Sequence, residues 1–499
     1  MNNIYWDSWT KKVFAISFGV SLFYIFPILL TSRFYIDDMG RSLLGYSGWG
    51  LNGRPLADVI MSWLSLGVPL VDLSPLTQIS GVAALSLSSS LYVKRYLSNS
   101  SYPVAGLVSF LMVASPFFLE NISYKYDSLT MSISLALIIG IFGFARSGVV
   151  SFLLSSVAIV ASLSLYQASI GAFIILSIFE VVFNHPNNVA AVKSIANRVG
   201  QLVVGYAVYT LLIKVIGSGD EYNDEHSQII SLSTEGGSAL LNNIHSIGNY
   251  FQQAIAPVSH WVIALYVLVI ASFTLVMLTK STLSNVISSV ILVFAFPLGL
   301  LFSFAHIALL KEPVLSPRVL LSFSVLPLLL GMAACLTIKK SAYQLALIIP
   351  MICIAFIYSY AYSNASSSQA RLDMRLAQEI ALDSDNGKQE YTNVAFNGRM
   401  PTADQLDLVK AKMPLIGSLV PVYMRGDWTW GGRLLHMNGL PLRVIKLGSI
   451  GDYKSTKPIA IRRDYNLYNY KGTLVVDFVK YPRKGLVLCS VPPMRFRDY

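Results

Sequence analysis

Long apolar runs recur along this 499-residue chain and limit its fold more than any other feature. Each run has about 17 to 20 residues, which is enough for a helix to cross a hydrocarbon layer roughly 30 Å thick. Hydrophobic residues make up 54% of the sequence and charged residues only 13%, whereas about a quarter of the residues are charged in a typical soluble domain. The pattern excludes an ordinary soluble protein and predicts an all-α polytopic membrane protein.

About eleven membrane spans are predicted from these runs. They lie at residues 13–32, 75–93, 103–119, 128–145, 149–165, 168–183, 199–216, 261–279, 284–304, 319–337 and 343–361. Basic residues mark every second gap, from Lys11 and Lys12 before the first span to Lys339 and Lys340 before the last. The positive-inside rule therefore places the N-terminus in the cytoplasm, and an odd number of spans places the C-terminus outside.

Two domains are predicted, a membrane domain at residues 1–362 and a tail at residues 363–499. The tail begins with a helical pattern in which Leu372, Leu376 and Ile380 share a face and Arg375 can pair with Glu379. The β-like runs "NVAFNG", "LRVIKLGSI" and "GTLVVDFV" follow, with a helix-like stretch at 403–412 after the first. These elements predict a small α/β domain on the outer side. The net charge of +11 lies in short loops and the tail, and no nucleic-acid motif accompanies it.

The first outer segment places two adjacent carboxylates, Asp37 and Asp38, just past the first span in "FYIDDMGRSLLGYSGWGLNGRP". Acidic residues close to a span tend to face water, a partner or a cavity, because an unpaired charge in the bilayer is costly. Aspartate is also a favoured N-cap, so one of the pair can cap a helix that begins near Met39. The two interpretations are compatible, since one aspartate can cap while the other points into a cleft.

Cations and aromatic rings follow the aspartates in the same segment. Arg41 and Arg54 can bind phosphate bidentately, and Tyr46 and Trp49 offer flat faces to a sugar ring. After Pro55, apolar residues recur with the i, i+3, i+4, i+7 spacing of an amphipathic helix that lies at the membrane interface, namely Leu56, Val59, Ile60, Trp63 and Leu64. A carboxylate, a phosphate clamp and a sugar platform beside an interfacial helix suit the transfer of a sugar from a lipid phosphate.

The residues Asp37-Asp38, Arg41, Gly45-Tyr46, Trp49 and "NGRPL" resemble the phage-associated O-antigen glucosyltransferases of the Gtr serotype-conversion family. The blocks "ENISYKYDSLTM" and "LYQAS" are similar to the family as well. The resemblance implies a fold like that of the GT-C glycosyltransferases, in the bacterial inner membrane with the tail in the periplasm. It also implies transfer of glucose from undecaprenyl-phosphate glucose to a hydroxyl of an O-antigen repeat of lipopolysaccharide, beside a donor-making glucosyltransferase and a flippase.

The resemblance further implies roles for individual residues. In the GT-C scheme an acidic residue of the first outer loop deprotonates the acceptor, and the reaction inverts the anomeric carbon. Asp37 and Asp38 match that position; Asp38 is the preferred base with Asp37 orienting it, although the sequence does not separate them. The leaving phosphate needs positive charge, and the basic residues predicted on the outer side are Arg41, Arg54, Lys125, Lys311 and Arg318.

Further outer-side residues each have more than one interpretation. Glu120 and Asp127 either hydrogen-bond sugar hydroxyls, or hold a divalent cation, or simply solvate the ends of two spans. Tyr166 and Gln167 are acceptor-site residues or members of an interfacial aromatic belt. The polar run "NDEH" at 223–226 is a ligand cluster or a solvated loop. Without a clear D-x-D pattern, we expect no tightly held metal, and no cofactor is indicated.

Two other classes of function remain open at this stage. A lipid-linked sugar flippase or transporter usually places charged or broken-helix sites near the bilayer midplane, whereas the polar residues here concentrate outside the predicted spans. An O-antigen polymerase or an acyl transferase would work in the same compartment, but the sequence lacks a persuasive Ser or His nucleophile arrangement. Glycosyl transfer is therefore the leading hypothesis.

Overall fold

The computed structural model describes residues 6–31, 33–144, 148–216, 228–231, 233–385 and 390–479. In that part of the chain, eight helical segments are long and apolar enough to cross a membrane. They are Ser8–Leu29, Leu76–Leu97, Gln167–Asn184, Asn188–Ile216, His260–Leu278, Leu283–Phe302, Pro317–Thr337 and Ser341–Asp385. Two shorter apolar helices, Ser128–Gly143 and Val149–Leu163, fall on further predicted spans. These helices indicate a membrane protein, and the count of about eleven spans stays a prediction. The run at 223–226 lies outside the described residues.

The span predicted at 103–119 is wrong as a single helix. The structure has two short helices there, Tyr102–Phe110 and Phe118–Ser123, joined by turns. Pro116 lies between them, and proline has no N–H to donate to a continuing helix. The second short helix begins with Phe118, Leu119 and Glu120, all buried, so the break delivers a carboxylate to the protein interior.

The described chain divides into two compact units. We call Met1–Leu30 with Leu44–Tyr360 the membrane unit, and Thr31–Leu43 with Ala361–Tyr499 the tail unit. The residues around Asp37 and Asp38 therefore belong to the same unit as the C-terminal sheet.

Further helices of the membrane unit lie between its long apolar helices in sequence. They are Pro55–Leu64, Thr234–Ile255 and Ala305–Ala308. The predicted amphipathic helix after Pro55 is confirmed: Ala57 and Met61 are buried on one face. Val59 and Trp63 are 63% and 75% exposed on another, a distribution that fits a helix between protein and an apolar surface.

Small residues bring the spans of the membrane unit close together. A Cβ at Gly81 would lie 2.8 Å from Ser132 Oγ on helix Ser128–Gly143. Two residues further along that helix, Ser134 Oγ lies 2.9 Å from the carbonyl oxygen of Tyr166 and 2.8 Å from Ser169 Oγ. Buried hydrogen bonds of this kind fix the chain between two spans, and here they fix the turn that begins at Tyr166.

A five-stranded sheet forms the core of the tail unit, in the order β2-β1-β5-β4-β3. The strands are β1 Asn393–Asn397, β2 Arg443–Val444, β3 Ala460–Ile461, β4 Asn466–Tyr470 and β5 Thr473–Asp477. β1 is parallel to β2 and β5, while β4 is antiparallel to β3 and β5. Helices Asp404–Lys412, Pro414–Leu419 and Thr429–His436 lie between the strands in sequence.

The sequence predicted most of these tail elements. The predicted helix after residue 362 is the end of Ser341–Asp385, where Arg375 pairs with Glu379 at 3.2 Å as expected. The run "LRVIKLGSI" is an exception, because only Arg443–Val444 is strand and a 3₁₀ turn follows at Leu447–Ser449. Gly448 lies in that turn, and glycine weakens a strand.

Side-chain contacts bind the segment Thr31–Leu43 within the tail unit. Arg33 forms a buried ion pair with Asp373 at 2.8 Å. The hydroxyl of Tyr35 donates to the carbonyl oxygen of Leu419 at 2.9 Å, and that of Tyr423 donates to the carbonyl oxygen of Phe34 at 2.8 Å. The chain that leads to Asp37 is therefore fixed by the C-terminal sequence.

Asp7 caps the first long helix, Ser8–Leu29, and supports a prediction about pH. Its carboxylate accepts from Thr10 N–H at 2.9 Å and pairs with Lys94 at 2.9 Å. The hydrogen bond from Thr10, with further help from Lys94, lowers the pKa of Asp7 from 3.8 to about 2. We expect Asp7→Ala to lower the stability by about 0.5–2 kcal/mol at pH 7, as loss of an N-cap does.

The pH dependence of this effect follows from the direction of the shift. The pKa of the Asp7 carboxyl is lower in the folded state than in the unfolded state. The stabilisation is therefore present above about pH 4 and is lost as the pH falls towards 2. Thermal unfolding in detergent at pH 7 and pH 3 measures this. Asp7→Asn is the control: it keeps a capping oxygen and should lose only the pH-dependent part. An equal difference between wild type and Asp7→Ala at both pH values would contradict the prediction.

Candidate functional site

The predicted site residues belong to both units. Asp37, Asp38 and Arg41 lie in the tail unit. The others lie in the membrane unit, namely Tyr46, Trp49, Arg54, Glu120, Lys125, Asp127, Tyr166, Gln167, Lys311 and Arg318.

The aspartate pair opens the helix Asp37–Leu44. Ile36 has a φ of 46°, so the chain turns sharply just before the pair. Asp38 is fully buried, and its Oδ2 accepts from the backbone N–H of Tyr35 at 3.3 Å. Asp37 is only partly buried. Asp38 thus helps to fix the start of the helix, whereas Asp37 is more accessible to solvent. The sequence allowed such a division of roles between the two aspartates.

Asp127 joins two of the predicted residues in the membrane unit. Its Oδ1 accepts from Trp49 Nε1 at 2.6 Å and lies 3.6 Å from a guanidinium nitrogen of Arg54. Asp127 and Trp49 are buried, at 2% and 1% exposure. A charged acceptor strengthens the indole hydrogen bond, so this carboxylate orients the ring and faces the arginine. It does not merely solvate the end of a span.

One face of the Arg54 guanidinium packs against an aromatic ring, and one of its N–H donors has no hydrogen-bond partner among the described residues. Its guanidinium lies over the ring of Tyr166, 4.7 Å from the centroid. Its buried Nε has no hydrogen-bond partner among the residues that the structure describes. A buried donor without a partner costs free energy, and a ligand anion would remove that cost. Burial raises the pKa of Tyr166, against the effect of the Arg54 charge, so its hydroxyl stays protonated.

Asp58 positions the loop that carries Trp49, a role that the sequence did not reveal. Its carboxylate accepts from the backbone N–H groups of Gly48 at 2.8 Å and Trp49 at 3.0 Å, and also from that of Gly50. Asp58 lies in the first turn of the helix Pro55–Leu64, where an acidic residue also suits the helix dipole. The sequence gives no signal for the additional role as a loop anchor, because the contact depends on the fold of the glycine-rich turn.

Glu120 organises a second set of contacts. Its Oε2 accepts from the backbone N–H of Arg318 at 2.8 Å, and Glu120 as a whole residue is only 2% exposed. The carbonyl oxygen of Arg318 accepts from Asn121 at 3.2 Å and from the Tyr166 hydroxyl at 3.3 Å. The Arg318 guanidinium lies 5.3 Å from the ring centroid of Tyr124. Glu120 is therefore a buried acceptor, and the interpretation that it solvates a span end is wrong.

Gln167 connects the loop after Trp49 to a long helix. Its Nε2 donates to the carbonyl oxygens of Asn52 at 2.9 Å and Gly53 at 3.2 Å, and lies 3.1 Å from the Tyr209 hydroxyl. Tyr209 also donates to Gly53 at 2.9 Å. The sequence missed Tyr209, because a tyrosine inside an apolar helix looks like any span residue.

Gly53 supports a second prediction. Its φ is +68°, and a Cβ there would lie 2.8 Å from Tyr209 Oη and 2.9 Å from Gln167 Nε2. We expect Gly53→Ala to cost about 1–2 kcal/mol of stability for the left-handed backbone, and to displace the Gln167 amide. Thermal unfolding and the transfer rate measure the two effects. Gly67→Ala is the matched control, because Gly67 also has positive φ but a Cβ there would meet nothing within 4 Å. Equal losses of transfer in both variants would contradict a specific role for the Gly53 contacts.

The remaining predicted residues lie apart from these contacts. Lys125 pairs with Asp72 at 3.2 Å, and Lys311 and Tyr46 are exposed. Within the described ranges, no group of three His, Cys, Asp or Glu residues could hold a metal ion. The membrane unit therefore brings together Trp49, Asp127, Arg54, Tyr166 and Gln167, with Glu120 and Arg318 joined through the Tyr166 hydroxyl.

Comparison with known proteins decides the family. The family model described as glucosyl transferase GtrII matches residues 26–329. The chain belongs to the GtrII glucosyltransferase family. It is also 30% identical over 441 residues to a protein of Salmonella phage P22 described as an uncharacterized 55.3 kDa protein in the gtrB 5' region, which covers 85% of this chain and 89% of the relative. A GtrII glucosyltransferase is a glycosyltransferase, and its matched range contains every predicted site residue, from Asp37 to Arg318.

Proposed function

We propose that this GtrII glucosyltransferase transfers glucose from undecaprenyl-phosphate glucose to a hydroxyl of an O-antigen repeat at the periplasmic face of the bacterial inner membrane. Membership of the family supports the glucosyl transfer. The phage relative beside a gtrB gene supports a neighbouring enzyme that makes the donor. A flippase that presents the donor outside completes the proposal.

The proposed reaction is a direct displacement. The acceptor hydroxyl loses its proton to an aspartate carboxylate, and its oxygen forms a bond to the anomeric carbon of glucose. The bond from that carbon to the phosphate oxygen breaks, undecaprenyl phosphate leaves with the electron pair, and the anomeric configuration inverts. A positioned base of this kind contributes about 10²–10⁴ to the rate.

Asp37 and Asp38 are the proposed carboxylates. Asp38 is buried and oriented through Tyr35 N–H, while Asp37 is more accessible. Burial of Asp38 beside a fixed turn supports a base whose direction does not depend on a mobile side chain. Asp38 remains the proposed base, and Asp37 is the neighbour that orients it.

The leaving phosphate requires preorganised positive charge. The Arg54 guanidinium, stacked on Tyr166 with an unsatisfied buried Nε, supports such a role most directly. Arg41, Lys125, Lys311 and Arg318 are further proposed donors to the phosphate. Donors aimed at developing charge in a water-poor site can each be worth about 10²–10³ in rate.

The acceptor and the sugar would meet the buried polar and aromatic residues of the membrane unit. Glu120 and Asp127 are the proposed acceptors of sugar hydroxyl hydrogen bonds, and Tyr46, Trp49, Tyr166 and Gln167 the proposed platform. The bonds that these side chains already make hold them in place. Preorganisation of that kind lowers the cost of binding a flexible glycan.

A reconstituted assay tests the function. The purified protein in vesicles is given radiolabelled undecaprenyl-phosphate glucose and O-antigen lipopolysaccharide, and label on the polysaccharide is measured. We expect transfer that depends on both substrates, with the product anomer inverted relative to the donor. Movement of the donor across the bilayer without transfer would favour a flippase, and chain elongation without glucosylation would favour a polymerase; either result would overturn the proposal.

A further inference from the structure

Two arginines of the tail unit face each other across an isolated bridge outside the five-stranded sheet. Arg399 and Arg425 form an isolated antiparallel bridge. The backbone hydrogen bonds that flank the bridge run from Met400 N–H to Met424 at 2.9 Å and from Gly426 N–H to Gly398 at 3.2 Å. The two arginines are therefore a non-hydrogen-bonded pair, the closer of the two antiparallel arrangements, with their side chains on one face.

Like charges directly opposite each other destabilise a strand pair. Partial desolvation, with the positive charge of Arg425, lowers the pKa of Arg399 against the effect of Asp407, although both arginine residues are exposed. Asp407 itself is engaged, since it accepts from Thr402 at 2.5 Å and contacts Lys410. The two facing guanidinium groups therefore retain a repulsion that an anionic ligand would relieve.

An aromatic ring holds the Arg425 guanidinium, and a series of contacts connects that ring to the aspartate segment. The Arg425 guanidinium stacks on Trp428, 4.1 Å from the ring centroid. The rings of Trp428 and Tyr423 are 6.0 Å apart. The Tyr423 hydroxyl donates to Phe34 and accepts from the N–H of Ile36 at 3.3 Å. A short series of contacts within the tail unit therefore leads from Arg425 to the residue before Asp37.

We propose that Arg399 and Arg425 form a binding site for a phosphate group of a substrate, beside the segment that contains Asp37 and Asp38. Two guanidinium groups on one face match the planar, multidentate recognition of phosphate oxygens. The phosphate belongs either to the lipid-linked donor or to the lipopolysaccharide acceptor. The inference rests on the proposed function for the identity of the substrates.

A binding experiment tests the site without requiring catalysis. The full-length protein in detergent is titrated with a short-chain polyprenyl phosphate and, separately, with deacylated lipopolysaccharide that retains its phosphates, and tryptophan fluorescence is followed. We expect Arg399→Gln to raise the Kd for one of the two probes at least tenfold. Arg463→Gln, an exposed arginine of the same unit, is the matched control and should leave both Kd values unchanged. The probe whose Kd rises identifies the source of the phosphate.

Thermal unfolding separates binding from structure. Removing one of two like charges should leave the melting temperature of Arg399→Gln unchanged or higher, whereas a purely structural role would lower it. Unchanged affinity for both probes in Arg399→Gln and in the Arg399→Gln/Arg425→Gln double variant would overturn the site. A second result would separate the two proposals. If these variants lose binding while an Asp37→Asn/Asp38→Asn variant keeps full transfer activity, the phosphate site stands and the proposed catalytic carboxylates are overturned.

Discussion

Replacing both Asp37 and Asp38 with asparagine is expected to lower the rate of glucosyl transfer by about 10²–10⁴-fold, the usual contribution of a positioned general base. Asparagine retains the size of the side chain and can still accept from Tyr35 N–H, so the turn at Ile36 should persist. It cannot accept the acceptor proton under these conditions. The measurement is the initial rate of label transfer in vesicles at saturating donor and acceptor.

The single variants distinguish the two aspartates. If Asp38 is the base, Asp38→Asn alone should lose as much activity as the double variant, since groups that act as a unit are not additive. Asp37→Asn should then retain a measurable rate. Glu379→Gln is the control, because Glu379 is an exposed carboxylate of the same unit whose pair with Arg375 should matter little. Wild-type transfer by the double variant, with a normal melting temperature, would exclude the mechanism.

The sequence predicted the parts of the fold that depend on local patterns. Apolar length identified the spans, and i, i+4 spacing identified both the helix after Pro55 and the pair of Arg375 with Glu379. The β-like runs "NVAFNG" and "GTLVVDFV" identified β1 and β5. The break at Pro116 was missed because the flanking residues are apolar enough to extend a span, although proline prevents a continuous hydrogen-bond ladder.

Local sequence patterns did not predict the contacts between residues that are distant along the chain. The ion pair between Arg33 and Asp373 joins residues 340 positions apart, and no periodicity marks such a partnership. The burial of Glu120 likewise depends on Arg318 from a separate segment. The sequence therefore identified Asp127, Trp49 and Arg54 as candidates by residue type, while their mutual arrangement required the structure.

Arg54 is the second residue whose replacement should have a large effect. We expect Arg54→Gln to lower kcat by about 10²–10³-fold, as removal of one donor to a developing charge does. The reason is structural: the guanidinium is stacked on Tyr166, faces Asp127 at 3.6 Å and has an unsatisfied buried Nε. Steady-state rates over a range of donor concentrations separate kcat from KM. A loss concentrated in kcat indicates a contact made in the transition state, and a loss confined to KM indicates ground-state binding.

Two further variants make this prediction specific. Arg54→Lys keeps the charge but loses the planar fork, so it should recover only part of the rate. Lys125→Gln is the matched comparison in the same unit, because Lys125 is also a proposed phosphate donor, but its ammonium already pairs with Asp72 at 3.2 Å. Equal losses in Arg54→Gln and Lys125→Gln would show that the two cations act only through the general electrostatic field. A loss restricted to Arg54 would support direct contact with the departing phosphate, because the buried Nε of Arg54 has no partner among the described residues, whereas the ammonium of Lys125 already pairs with Asp72.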